Sequence, residues 1–258
     1  MLTYSSRLAL ACMAMVASAL PASASPDTFE SCPAARVAPL ALPHVKDALA
    51  GNSELTIVAL GSSSTAGWHS TSIAQSYPAI LQAELSAALP YAHVAVINRG
   101  IGGQDAAEMV PRIDADVLGV RPSLVVWQVG ANGAMKDRDP DTFRKLVIEG
   151  VQELRGAGID VVLMDNQRAP AILAAPHHLE IDQAMADVAA RTGAGLFDRG
   201  ALMDQWRSNG HPYEQFISND GVHHNDLGYH CVASALASAI LEGLGRPITL
   251  ARSALAHR

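Results

Sequence analysis

The sequence predicts an α/β protein: one doubly wound, three-layer domain around a parallel sheet of about five strands. Three observations predict it. Short apolar, β-branched runs alternate with longer stretches of helical period. The short runs are apolar on both faces, as strands covered by helices on each side must be. No internal repeat and no interior linker divides the chain, so the alternation builds one sheet with right-handed crossovers.

Composition is consistent with this. The chain has 258 residues, 49% of them hydrophobic, which is enough for a real core and excludes disorder as the main state. Eighteen Lys and Arg stand against 25 Asp and Glu, for a formal charge of −7. Only three of the cations are Lys and no basic stretch is longer than two residues, so a nucleic-acid partner is excluded.

The first segment has one positive charge, Arg7, followed by an almost wholly apolar Leu8 to Leu20 and then Pro21-Ala22-Ser23-Ala24. Ala22 and Ala24 supply the small side chains of a cleavage site, so residues 1–24 read as a secretory signal peptide. Thirteen apolar residues fall short of the roughly 20 that a spanning helix needs, so no stable membrane insertion is expected after cleavage. The mature protein is expected to be secreted or periplasmic. Residues 25–50, with Pro26, Pro33, Pro39 and Pro43, read as an N-terminal leader, and 51–258 as the single folded domain. Cys12 leaves with the signal. Cys32 and Cys231 remain, and in an oxidising compartment they form a disulfide or stay as two buried thiols; spacing alone does not choose.

The expected strands are Leu55 to Leu60, His93 to Asn98, Ser123 to Gln128, Asp160 to Met164 and a short fifth at Gly195 to Phe197. Helical patterns fill 74–89, 104–118, 140–157, 176–192 and 225–243, with start signals at Asp139-Pro140 and Asn225-Asp226. In a sheet of this kind the ligand site lies at the carboxyl ends of the strands. Gly61-Ser62-Ser63-Ser64-Thr65-Ala66-Gly67 follows the first strand, Asn98-Arg99-Gly100-Ile101-Gly102-Gly103 ends the second, and Gly130-Ala131-Asn132-Gly133 follows the third. Asp220-Gly221-Val222-His223 precedes the last helix. Hydroxyls, flexible backbone amides, a carboxamide and an Asp/His pair thus converge on one rim, the inventory of an acyl-transfer site.

In these four blocks the sequence resembles the SGNH or GDSL hydrolases. Their G-D-S-x-T-x-G corresponds to Gly61–Gly67 with Ser62 in place of Asp, and their N-x-G-x-x-G to Asn98–Gly103. G-x-N-D corresponds to Gly130–Gly133 with Gly133 in place of Asp, and D-x-x-H to Asp220–His223 unchanged. The resemblance implies the SGNH hydrolase fold, a three-layer domain with a flavodoxin-like sheet, and a serine esterase acting on small-molecule or carbohydrate esters. It implies Ser63 as nucleophile, His223 as base and acid, Asp220 as the group orienting the imidazole, and Ser63, Gly100 and Asn132 as oxyanion donors. No cofactor is implied. The two replaced Asp residues lie outside the triad and affect only the bonding within their loops.

Other residues carry plainer expectations. Asn98 reads as a loop brace, Gly102 as a turn residue, Trp127 as core and His224 as structural. Gln167, in the polar run Asp165 to Pro170, and Trp68, after the nucleophile block, are candidate substrate-binding residues. His177, His178 and His211 lack metal-ligand spacing, so no metal site is expected. The same triad would also serve an O-acyltransferase, with a sugar hydroxyl in place of water. A carbohydrate-binding relative without catalysis, or a flavodoxin-like protein cradling phosphate in the 61–67 loop, would leave Asp220 and His223 without a task.

Overall fold

The computed structural model describes residues 31–51 and 53–246; the expected signal peptide, residues 1–24, lies outside them. Five strands form the sheet: β1 (Glu54–Gly61), β2 (His93–Gly100), β3 (Leu124–Gln128), β4 (Asp160–Met164) and β5 (Gly195–Phe197). Their order is β2-β1-β3-β4-β5 and every pairing is parallel. The chain goes from β1 outward to β2, then crosses back over β1 to β3. The carboxyl ends of β1 and β3 therefore flank the switch point, where such sheets open a crevice.

Helices cover both faces: α1 (Pro43–Gly51), α2 (Ser63–Ala66), α3 (Tyr77–Ala88), α4 (Ala106–Met109), α5 (Ala131–Met135), α6 (Pro140–Gly156), α7 (Pro170–Leu173), α8 (His178–Thr192), α9 (Arg199–Ser208) and α10 (Asp226–Gly243). Alternation along β1 explains the two cores. Leu55, Ile57 and Ala59 join one cluster with Val45 of α1, Leu81 of α3 and Leu236 of α10. Val58 and Leu60 join the other with Val147 of α6 and Met185 of α8. Both faces are buried, hence the unbroken apolar runs.

Two expectations are corrected. The helix expected over 104–118 is broken. Asp105 caps α4, accepting from Ala107 N at 3.0 Å, while the Glu108 carboxylate accepts from Asp105 N at 2.9 Å. Pro111 then lacks the N–H that would continue the ladder, so the chain proceeds as a 3₁₀ turn at Val110–Arg112 and a π turn at Asp114–Leu118. The leader is also more than a leader. Leu40, Leu42 and Val45 are buried in the first core, Leu40 N donates to Ala239 O at 3.1 Å, and the described residues belong to one compact unit that begins at Ser31. Cys32 and Cys231 form a disulfide that fastens this segment to α10 across 199 residues, with Cα atoms 5.3 Å apart. Closing so long a loop contributes about 5 kcal/mol in the chain-entropy account. Among the described residues no helix is long and apolar enough to cross a membrane.

Candidate active site

The segment after β1 turns at once into the one-turn helix α2, with Ser63 as its first residue and Gly67 closing it at φ 88°. A side chain at Gly67 would meet the Ser76 Cβ at 2.6 Å, so both the left-handed conformation and the close packing demand glycine there. Ser63 is buried, but its Oγ reaches His223 Nε2 at 2.7 Å, across 160 residues of sequence. His223 Nδ1 donates in turn to Asp220 Oδ2 at 2.5 Å.

A tight turn makes the three-residue spacing of Asp220 and His223 work. Ser218 N donates to His223 O at 2.8 Å, Gly221 sits at φ 69°, and Ile217 and His224 bridge the turn's base. Asp220 Oδ1 accepts from Ser218 Oγ at 2.5 Å and from the amides of Val222 and His223 at 3.0 Å each. Partial burial works to raise the Asp220 carboxyl. The Ser218 hydroxyl, the His223 imidazole and the two amides outweigh it and hold the group well below the usual carboxylate range. Asp220 is therefore an anion at any working pH, and the imidazole keeps its proton on Nδ1 and its lone pair toward Ser63.

Ser62 stands where the related hydrolases have Asp, and Gln128 compensates. Gln128 Oε1 accepts from Ser62 N at 3.1 Å, Ser62 Oγ at 2.9 Å and Thr65 Oγ1 at 3.3 Å, tying the ends of β1 and β3 together behind the nucleophile. Sequence reasoning missed this residue. Its signal was the missing Asp, since the loop's donors still needed an acceptor. Asn98 is the expected brace: its Nδ2 donates to Thr65 O at 2.7 Å.

The structure separates the expected oxyanion donors. The Ser63 amide is one of the unpaired N–H groups of a helix's first turn. The Asn132 Nδ2 gives one hydrogen to Gln104 O at 2.8 Å and keeps the other. The Gly100 amide is already donated to Asn98 Oδ1 at 2.9 Å. The expectation for Gly100 is corrected accordingly. Its missing side chain serves packing rather than substrate, for a Cβ there would lie 2.2 Å from Ala66 N.

The two candidate substrate-binding residues also part. Trp68 is 54% exposed, with its ring centroid 5.8 Å from that of His223. Gln167 is fully buried and donates to Val222 O at 2.8 Å, so it braces the Asp220–His223 turn from behind, which corrects the reading of it as a substrate contact. His224 faces away from the cleft. Its Nδ1 donates to Phe216 O at 3.1 Å, and burial, helped by the Arg199 charge, pushes it down to about 3, so it stays neutral.

One contact came with no warning from the sequence. His69 Nε2 lies 3.2 Å from Asp220 Oδ2, and its ring is stacked on that of His223. His69, Asp220 and His223 offer ligand atoms within 4.8 Å of one another. Ligands sharing one tetrahedral cation stand roughly 3.3 Å apart. His223 Nδ1 and Asp220 Oδ2, at 2.5 Å, are closer than that and share a proton instead.

No curated protein sequence matches the chain. Solved structures that resemble it include the lipase/acylhydrolase from Enterococcus faecalis, with 24% identity and a TM-score of 0.63 over 74% of this chain and 96% of that one. A two-domain esterase active on acetylated mannans has 21% identity and a TM-score of 0.69, over 81% of this chain and 55% of that one. A mutant form of an acetyl-xylooligosaccharide esterase from Geobacillus has 20% identity and a TM-score of 0.60 over 74% and 94%. At these identities the likeness establishes the SGNH hydrolase fold. The pattern of the Non-GDSL lipase-like family matches residues 31–246, which takes in all four strand-end blocks, so the chain belongs to that family of SGNH/GDSL-type hydrolases.

Proposed function

We propose that this ester hydrolase works through an acyl-enzyme formed on Ser63, with short acyl groups, including O-acetyl groups on carbohydrate, as its substrates. The observation that carries the mechanism is the unbroken chain from Ser63 Oγ through His223 to Asp220, at 2.7 and 2.5 Å. A serine hydroxyl is a poor nucleophile until a neighbouring imidazole accepts its proton. Ser63 Oγ attacks the ester carbonyl while His223 Nε2 takes the proton, and Asp220 balances the imidazolium. The Ser63 amide and the free hydrogen of Asn132 Nδ2 hold the negative oxygen of the tetrahedral intermediate. His223 then gives its proton to the departing alcohol, activates a water by the same atom, and returns the proton to Ser63 as the acid leaves.

Two things support the substrate class. Similar structures include esterases described as acting on acetylated mannans and acetyl-xylooligosaccharides. The exposed indole of Trp68 beside His223 offers an apolar plane on which a sugar ring can rest. The Cys32–Cys231 bridge supports export to an oxidising compartment after cleavage near Ala24. The test is acid release by the mature protein from aryl esters of graded acyl length, beside acetylated mannan and xylan. Acetyl substrates are expected to lead, and turnover fastest on octanoyl esters would overturn the substrate class. A serine-directed phosphonate that labelled a peptide without Ser63 would overturn the mechanism.

A further inference from the structure

We propose that His69 is a positioning residue for the reaction, holding Asp220 and His223 in register with the nucleophile. This rests on the reading of Ser63, His223 and Asp220 as the reacting set. Asp220 Oδ1 is occupied by groups of its own turn, Ser218, Val222 and His223. Oδ2 takes His223 Nδ1 and faces His69 Nε2 at 3.2 Å. His69 is therefore the contact that joins the carboxylate to the segment bearing Ser63, six residues earlier.

The loop is built to hold it there. His69 adopts φ 65°, a left-handed conformation that costs a residue with a side chain, and such strain persists only where the surroundings enforce it. They do so on both sides. Tyr229 Oη donates to Trp68 O at 2.8 Å, and Thr71 donates to the Asp226 carboxylate from its amide at 2.9 Å and its hydroxyl at 2.5 Å. Ser70 Oγ lies 2.6 Å from Gly67 O and 2.9 Å from Ser72 O. Tyr229 and Asp226 belong to α10, the helix that follows the Asp220–His223 turn, so the loop is clamped to the element that carries the other half of the site.

The imidazole so placed does two things. Its Nε2 stands 3.2 Å from Oδ2, an ion-pair distance from the oxygen that holds the His223 proton, and limits how far that carboxylate can swing. Its ring lies nearly parallel to that of His223, 10° apart with centroids at 5.2 Å, which restricts rotation of the base about its own axis. Both effects act on turnover through Asp220 and His223, and neither touches substrate.

The experiment compares His69→Ala and His69→Gln in the wild-type and Asp220→Asn backgrounds, with rates normalised to folded protein and melting temperatures measured alongside. His69→Ala should lower kcat about tenfold, with KM nearly unchanged. Gln keeps an N–H donor at a similar reach and should restore most of the loss. In Asp220→Asn, where the carboxylate is gone, His69→Ala should change kcat little. An unchanged kcat in His69→Ala, an equal loss in both backgrounds, or a loss confined to KM would overturn the role of His69 while leaving the triad standing. Full activity in Asp220→Asn alone would instead overturn the triad reading and the role of His69 with it.

Discussion

The ends of β1 and β4 carry equally polar runs, Gly61 to Gly67 and Asp165 to Pro170, and the fold puts them to opposite uses. At β1 the hydroxyl of Ser63 faces His223 in the cleft. At β4 the polar groups turn inward. Asp165 Oδ1 accepts from the amides of Arg199 and Gly200, and Asp165 O takes the buried Arg199 guanidinium from Nε at 3.0 Å and Nη2 at 2.6 Å. Asn166 Nδ2 donates to Asp182, and Gln167 Nε2 to Val222 O. Burial and the neighbouring Asp198 and Asp182 push the Asp165 carboxyl well above its usual range, against the pull of Arg199. A polar residue at a strand end is therefore not by itself a site residue. What matters is whether its partners are other buried protein groups or an open face where a substrate can stand.

The largest effect expected from this contrast is at β1. Ser63→Ala should lower ester turnover by at least about 10⁴-fold, because the covalent step has no other nucleophile. Its melting temperature should stay near that of wild type, since the hydroxyl contributes little to packing. A variant that kept appreciable turnover on aryl esters, or that lost its cooperative unfolding, would break the comparison at its strong end.

Arg199→Met should do the reverse. Losing the two hydrogen bonds that the buried guanidinium gives Asp165 O, at about 1.5–3 kcal/mol for each bond from a charged group, should lower the melting temperature by roughly 10 °C for a domain of this size. Turnover per folded molecule should stay close to wild type. Thermal unfolding and active-site titration of the same sample separate the two readouts, and a variant as stable as wild type but inactive would move Arg199 into the site.

The smallest effect separates two adjacent histidines. His223 reaches Ser63 Oγ at 2.7 Å, whereas His224 is fully buried and stays neutral in the fold down to about pH 3. The unfolded chain takes that proton near the ordinary value of about 6.5. Between those limits the unfolded state binds the extra proton, so the contribution of His224 to stability is complete above about 6.5 and is lost as pH falls toward 3. The loss between pH 7 and pH 5 is on the order of 2 kcal/mol. Denaturant midpoints measured at both values should fall less in His224→Gln than in wild type, and equal slopes would show that the buried ring takes up its proton within the fold.

Much of this protein was legible from one dimension. Strand positions follow from apolar runs that need covering on both faces, and the parallel sheet follows from their alternation with helices. Ser63, Asp220, His223 and Asn132 could be singled out because each sits in a short strand-end block that resembles a motif of the SGNH/GDSL hydrolases. The tertiary structure decided what depends on partners distant in sequence. It turned Gln167 inward, gave the Gly100 amide to Asn98, and brought Gln128 to the place of the missing Asp beside Ser62. It joined Cys32 to Cys231 and drew the expected leader into the core. It also set His69 against Asp220, across 151 residues of sequence. The physical reason is one of range. Periodicity and turn chemistry are properties of a few adjacent residues, whereas burial and hydrogen-bond partners are settled only when separate segments compete for the same space.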